Sequence, residues 1–401
     1  MLKIFQMQVK GKIILGKGRD EAVKRFHPWI FSGAINKVEG KPEDGDIVEV
    51  FDIAGNYLAT GHASTGSIAV KLFHFGPDKP GENFWVTKLK QAFKQRQDLG
   101  FTANPLSNAY RLVFSEGDGM PGLVIDFYNG VAVLQGHSTG MYLLRQVLAD
   151  ALKQVYGKEL SAVYDKSTEA LGKSGGESEG DSFLYGSSDA VEILENGHRF
   201  SIDFKEGQKT GFFLDQRDNR ALLAKYAKGK KVLNAFCYTG GFSVYALAAG
   251  ATQVISLDSS RKAMDTLEEN LRINGFEGSN HESIVADAKS YLGTMPDDFD
   301  IIVLDPPAFA KRHADRHKGL QGYKYINATA MKKIRPGGLL FTFSCSQAIN
   351  REMFISMAMS SALEAGRNVR ILHQMGHSAD HPVSIFHPEG EYLKGLVLLV
   401  E

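Results

Sequence analysis

The sequence predicts a multidomain α/β protein: a small β-rich domain, then a mixed α/β segment, then a C-terminal half built on an open parallel sheet with crossover helices. Three observations carry this expectation. The chain has 401 residues, more than the roughly 100–200 of one ordinary domain. Its first 75 residues hold short β-type runs at close spacing. From Lys231 onward, strand-like apolar runs alternate with helical stretches, the rhythm of a parallel sheet whose strands are joined by helices.

Composition narrows the class. Hydrophobic residues make up 43% and charged residues 23%, an average globular balance that excludes wholesale disorder. Apolar runs such as Val244–Ala251 and Ile301–Leu304 stop far short of the roughly 20 residues that span a bilayer. Met1–Lys12 lacks the apolar stretch of a signal peptide, so the expected location is cytoplasmic, with no membrane partner. Cys237 and Cys345 are the two cysteines, too few for a disulfide framework or a cysteine metal cluster, and no metal is expected. Lys plus Arg and Asp plus Glu are 46 each, so attraction to a polyanion must come from local patches. One candidate is the N-terminal 37 residues, where eight basic residues face Asp20 and Glu21.

In the first domain, expected over residues 1–76, the runs Asp46–Phe51, Tyr57–Thr60 and Ser67–Phe73 are separated by Gly, Asp and Asn turns, which reads as strands. Pro77–Gly81 is a linker to a central domain over 77–190. There Trp85, Leu89, Ala92, Phe93 and Arg96 fall at helical spacing. Strands are expected at Arg111–Ser115, Leu123–Phe127 and Val131–Gly136, and a helix carries Leu144, Leu148, Ala151 and Val155 on one face. Lys173–Ser182 is a Gly, Ser and Glu tract expected to be a mobile loop. Glu195-Asn196-Gly197-His198 between apolar runs signals a hairpin that leads into the last domain, 191–401. Its strands are expected at Val232–Cys237, Val254–Asp258, Ser283–Asp287, Ile301–Asp305, Leu339–Ser344, Val369–Met375 and Gly395–Val400, with helices at Arg261–Asn274 and Asn350–Glu364.

Ligands of an open parallel sheet bind outside the carboxyl ends of the strands, so the strand ends are the candidate site. The first ends in Asn234-Ala235-Phe236-Cys237-Tyr238-Thr239-Gly240-Gly241-Phe242. Paired glycines allow close backbone approach, but the G-x-G-x-x-G spacing of a pyrophosphate site is missing. Asp258 ends the second strand, where a carboxylate can accept from ribose hydroxyls, and Asp287 ends the third, within reach of an adenine amino group. Each residue alone is as readily a turn glycine or a helix cap. The ordered set points to S-adenosylmethionine.

The fourth strand ends Asp305-Pro306-Pro307-Ala308-Phe309. Two prolines stiffen the turn, so Phe309 could stack on a flat base while Asp305 bonds its polar edge. The fifth ends Ser344-Cys345-Ser346-Gln347, on a strand expected to neighbour the fourth. Cys345 then lies beside Asp305 as a nucleophile, since carbon-5 of a pyrimidine becomes reactive once a thiolate adds to carbon-6. Cys237, inside the glycine turn, is expected to be a buried hydrophobe. Lys311, Arg312, Arg316, Lys318 and Lys324 against Asp315 form a basic stretch suited to a phosphate backbone.

These motifs resemble the family of ribosomal RNA large subunit methyltransferase I, and the resemblance covers nearly all of the chain. Leu15-Gly16-Lys17-Gly18-Arg19 and His27-Pro28-Trp29-Ile30-Phe31-Ser32-Gly33 look like the start of its PUA domain, an RNA-binding β-barrel. Glu116-Gly117-Asp118-Gly119-Met120-Pro121-Gly122-Leu123 is similar to its central domain. Gly207-Gln208-Lys209-Thr210-Gly211-Phe212-Phe213-Leu214-Asp215-Gln216-Arg217 resembles the segment leading into its Rossmann-like class I methyltransferase domain. The resemblance implies that S-adenosylmethionine is held by Lys209, Thr210, Gly211, Asp215, Gln216, Arg217, Phe236, Tyr238, Thr239, Gly240, Gly241, Asp258, Asp287 and Asp305. It implies methylation of carbon-5 of a cytosine in large-subunit ribosomal RNA by Cys345 with Asp305. The substrate would be met by Pro306, Pro307, Phe309, Lys311 and Arg312. Asp380-His381-Pro382 and Tyr392-Leu393-Lys394 also match the family pattern, with no physical role assigned, while Lys166 stands where relatives often carry arginine. A homodimer is compatible with the sequence.

Three other readings fit parts of the chain. An Asp-Pro-Pro-aromatic turn can present a ring or exocyclic nitrogen for direct methylation, which needs no cysteine. A noncatalytic RNA-binding protein would keep the first domain and only the frame of the last. A nicotinamide oxidoreductase is disfavoured by the missing glycine spacing.

Overall fold

A computed structural model describes residues 7–172 and 179–401. Most of the Gly, Ser and Glu tract, residues 173–178, therefore lies outside the described residues, and Ser182 at its end opens a strand. The chain forms two compact units. The first comprises the described residues of Met1–Ile193 with Ile202–Phe212 and Ala379–Gly390; the second comprises Leu194–Ser201, Phe213–Ser378 and Glu391–Glu401.

The first unit contains two sheets. Strands β1 (Val9–Leu15), β2 (Trp29–Phe31), β3 (Ile35–Gly40), β4 (Ile47–Phe51), β5 (Tyr57–Ala63) and β6 (Ile68–Phe75) form one, in the order β2-β6-β5-β4-β1-β3. Its inward side chains, Ile13, Leu15, Val48, Val50, Val70 and Leu72, make a small core. The second sheet has the order β11-β10-β9-β8-β7, from β7 (Ala109–Phe114), β8 (Leu123–Tyr128), β9 (Val131–Gly136), β10 (Ala162–Asp165) and β11 (Ser182–Gly186). A helix at Phe84–Asp98 turns Trp85, Leu89, Ala92 and Arg96 inward at helical spacing. Arg96 is fully buried, so its charge needs a partner. It finds Asp118 in a bidentate pair at 2.6 and 2.7 Å and donates a further bond to the carbonyl of Asp380 at 2.9 Å.

Strands β12 (Val191–Glu195) and β13 (His198–Ile202) form the expected hairpin. Asn196 and Gly197 supply the two consecutive positive φ angles, 51° and 84°, that a two-residue turn between strands requires.

The second unit is built on seven strands in the order β16-β15-β14-β17-β18-β20-β19. These are β14 (Lys231–Ala235), β15 (Gln253–Asp258), β16 (His281–Val285), β17 (Ile301–Leu304), β18 (Gly338–Ser344), β19 (Val369–Met375) and β20 (Lys394–Val400). The first five run parallel, and β20 lies antiparallel between β18 and β19. Winding reverses between β14 and β17, which makes their carboxyl ends the switch point. Continuous buried runs such as Ile301–Leu304 suit strands covered on both faces. Three strands end one or two residues sooner than expected, at Ala235, Val285 and Leu304. Phe236 turns to φ 59°, Asp287 caps the next helix, and Pro306 has no N–H for a ladder, so Cys237, Asp287 and Asp305 sit in loops. Among the described residues no helix is long and apolar enough to cross a membrane.

Candidate active site

The loop after β14 is a sharp turn. Phe236, Tyr238 and Gly240 have φ of 59°, 48° and 81°, and two non-glycine residues in the left-handed region persist only where the surroundings dictate it. Asp258 is one such brace. Its carboxylate accepts from the Tyr238 N–H at 3.0 Å and the Ser260 N–H at 2.9 Å, which leaves lone pairs for further donors. Asn270 donates to the Thr239 carbonyl at 2.9 Å. A Cβ on Gly240 would meet Leu267 Cγ at 2.7 Å and one on Gly241 would meet Arg220 Cδ at 2.9 Å, so packing within the unit already requires both glycines. Cys237 in this loop is buried, its thiol pushed well above the ordinary range by burial and then by the Asp258 charge, and its sulfur lies 3.5 Å from that of Met264.

Asp305 follows β17 and is half-buried. It accepts from the Gln216 amide at 2.9 Å, and Gln216 is fixed in turn by Asn219, which donates to it at 2.6 Å and to the Gly376 carbonyl at 3.1 Å. Burial, then the charge of Asp215, pushes the Asp305 carboxyl up to about 7, against the Gln216 bond and the Arg220 charge. Asp215 receives the Tyr392 hydroxyl on Oδ2 at 2.5 Å. Its Oδ1 is buried without a hydrogen-bond partner among the described residues.

Cys345 follows β18, the strand paired with β17 through Leu304 and Thr342, and it is half-buried between buried Ser344 and Ser346. Burial pushes its thiol up to about 11, with Asp305 and Asp215 adding to the rise and Lys394 opposing it. Tyr323 joins the two strand ends: its hydroxyl lies 3.0 Å from Ser346 Oγ and accepts from the Phe309 N–H at 3.4 Å. The Phe309 ring, half-buried, packs on Tyr323 with centroids 4.6 Å apart and carries the Lys289 ammonium 5.1 Å from its own centroid. Pro306 is buried; Pro307, Lys311 and Arg312 are exposed.

Other expected residues have different surroundings. Asp287 is exposed and accepts from both N–H and hydroxyl of Ser290, each at 2.9 Å, which holds its carboxyl below the usual range. Arg217 Nε lies 3.5 Å from Glu195. Lys209, Thr210 and Gly211 belong to the first unit, where the buried Thr210 hydroxyl donates to Asp126 at 2.5 Å and lies 2.9 Å from that of Tyr128. Residues to which the sequence assigned no role in the site complete the second unit's polar frame. Glu195 forms a buried bidentate pair with Arg220 at 2.8 and 2.7 Å and accepts from Tyr245 at 3.0 Å. His377 Nε2 accepts from the Tyr392 and Leu393 N–H groups at 3.2 and 3.0 Å. Lys394 is buried at the head of an apolar strand. A charged residue leading a wholly apolar run is the one signal by which the sequence could have flagged it.

Acceptors therefore crowd the ends of β14, β15, β17 and β18, with the half-buried Cys345 thiol among them. The family model for S-adenosylmethionine-dependent methyltransferases matches residues 176–379, and that for PUA-like domains matches residues 13–75. The chain is 40% identical over 398 residues to ribosomal RNA large subunit methyltransferase I of Aeromonas hydrophila, covering 97% of this chain and 99% of that protein. It is 41% identical over 394 residues to the protein of that name from Tolumonas auensis, covering 96% and 98%. Among solved structures it is similar to one described as an S-adenosylmethionine-dependent methyltransferase from Streptococcus mutans, with TM-score 0.82 and 23% identity, covering 98% of this chain and all of that one. A methyltransferase solved in complex with SAH gives TM-score 0.83 at the same identity and coverage.

Proposed function

Since this chain belongs to the ribosomal RNA large subunit methyltransferase I family, we propose that it methylates carbon-5 of a cytosine in large-subunit ribosomal RNA through a covalent adduct with Cys345. It is an S-adenosylmethionine-dependent RNA methyltransferase. The observation that carries the finer reading is the pairing of Cys345 and Asp305, half-buried at the ends of neighbouring parallel strands and close enough for the carboxylate to raise the thiol.

The residues present fit the cofactor. S-adenosylmethionine offers an ammonium, ribose hydroxyls and an adenine amino group, all donors, and the loops of the second unit offer acceptors. Asp215 Oδ1 is buried and unpaired among the described residues, and Asp258 keeps unused lone pairs. Asp215, Gln216, Tyr238, Thr239, Gly240, Gly241 and Asp258 would hold it. When bound, it supplies a methyl carbon on a positively charged sulfur.

The chain's own residues do the rest. Cys345 adds as thiolate to carbon-6 of the ring, and the electron pair displaced toward carbon-5 makes that carbon nucleophilic. Asp305, poised near 7 by burial, is part protonated and part ionised at neutral pH, and its protonated form can donate to the ring's polar edge. After carbon-5 is methylated its proton leaves to a base, the double bond re-forms and the thiolate departs. Phe309, rigid on Tyr323, offers a flat face to the base, and exposed Lys311 and Arg312 face the backbone charge.

Cys345→Ala is expected to abolish methyl transfer while S-adenosylmethionine still binds by calorimetry. Full activity in that variant, or a product that mass analysis identifies as methylated on nitrogen, defeats the reading.

A further inference from the structure

Lys394 heads β20 at the register position opposite Ser344, the residue before Cys345. It is 2% exposed, and a buried ammonium is unfavourable unless something answers its charge. Two of its three donors are used, on the carbonyls of Ser346 at 2.7 Å and Tyr392 at 2.6 Å. Neutral carbonyls satisfy hydrogen bonds but leave the charge in place. The anion-forming groups that reach it are Cys345 first and Glu391 second, with Arg351 opposing. Glu391 is itself held by Arg351 at 2.6 Å. The thiol is thus the group left to use the lysine's charge.

We propose that Lys394 is a positioning residue for Cys345: its ammonium stabilises the thiolate against the negative charges of Asp305 and Asp215, and its two hydrogen bonds fix the Ser346 and Tyr392 carbonyls on either side. The inference rests on the reading of Cys345 as the nucleophile. Burial first, then Asp305 and Asp215, raise the thiol and Lys394 lowers it, while the Tyr323 hydroxyl is raised chiefly by burial with the cysteine adding to the rise. Burial brings Lys394 down to about 8, so it carries its charge in the neutral range, where the thiol needs it. Through the Tyr392 carbonyl the same ammonium braces the residue whose hydroxyl holds Asp215.

Thiol reactivity tests this without RNA or cofactor. The full chain is alkylated with iodoacetamide across pH 7 to 9, and the Cys345 peptide is quantified by mass spectrometry, separately from Cys237. Well below its pKa, a thiol's reactive fraction falls tenfold for each unit its pKa rises. Lys394→Gln is expected to slow alkylation at pH 7 by about tenfold, and Lys394→Arg to recover most of the loss. An unchanged rate in a folded Lys394→Gln overturns the inference. Should that variant not fold, Asp305→Asn with the native lysine decides. Its log rate should bend to a lower slope near pH 8 as the lysine gives up its proton, and a straight unit slope from pH 7 to 9 overturns the inference. Methyl transfer is assayed in parallel. An unchanged thiol profile in Lys394→Gln rejects the role of the lysine alone, whereas full activity in Cys345→Ala rejects the nucleophile on which it rests.

Discussion

The Gln216 amide donates to the Asp305 carboxylate at 2.9 Å, and it is the one hydrogen bond found on that group among the described residues. One bond does not offset burial beside Asp215, so the carboxyl rises from 3.8 to about 7. An acid whose folded value lies above its unfolded value favours folding in its neutral form. That contribution is whole below about 4 and is lost as pH rises through 7. Asp305→Asn cannot ionise and keeps it. The substitution should therefore stabilise the fold by about 1–2 kcal/mol more at pH 8 than at pH 5, after allowance for partial exposure. Urea midpoints at the two pH values measure this, and an equal gain at both would contradict it. Methyl transfer should fall sharply in the same variant.

Gly240→Ala should weaken both fold and cofactor affinity. The position has φ +81° and its new Cβ would stand 2.7 Å from Leu267 Cγ, a fully buried side chain. Left-handed backbone costs about 1–2 kcal/mol for alanine, and the overpacking adds about 1–3. The midpoint of denaturant unfolding should shift accordingly, and calorimetry should show weaker S-adenosylmethionine binding.

Exposed Lys311 and Arg312 predict a salt-dependent loss. If each neutralises one phosphate of single-stranded RNA, the double alanine variant should lower the slope of log affinity against log salt by about 1.4. Binding assays from low to physiological salt read that slope. An unchanged slope would place the backbone contacts elsewhere.

Periodic features were legible in the sequence. The β-run spacing, the alternation after Lys231 and the Asn196-Gly197 turn each depend on neighbours in the chain, and all three appear in the fold. Cys345 and Asp305 were legible as strand ends because parallel β17 and β18 leave few other arrangements. Asp287 shows the limit of that argument. Ser290 three residues on marks a helix cap, and one carboxylate oxygen is engaged there. The roles of Lys394, Tyr392 and Glu195 were not legible, because their meaning lies with partners distant in sequence. Lys394 answers Ser346, 48 residues away, and Tyr392 answers Asp215, 177 away. No local period encodes such pairs.

Asp380, late in the chain, closes the first unit: its carbonyl takes Arg96 at 2.9 Å and its carboxylate takes the Arg111 N–H at 3.0 Å. A nascent chain emerging from the ribosome carries Arg96 long before Asp380 has been synthesised. The early sheets can assemble with Arg96 already paired to Asp118, but the last of its hydrogen bonds waits until Asp380 has been made. A fragment stopped near residue 190 would lack both hydrogen bonds that Asp380 makes to Arg96 and Arg111.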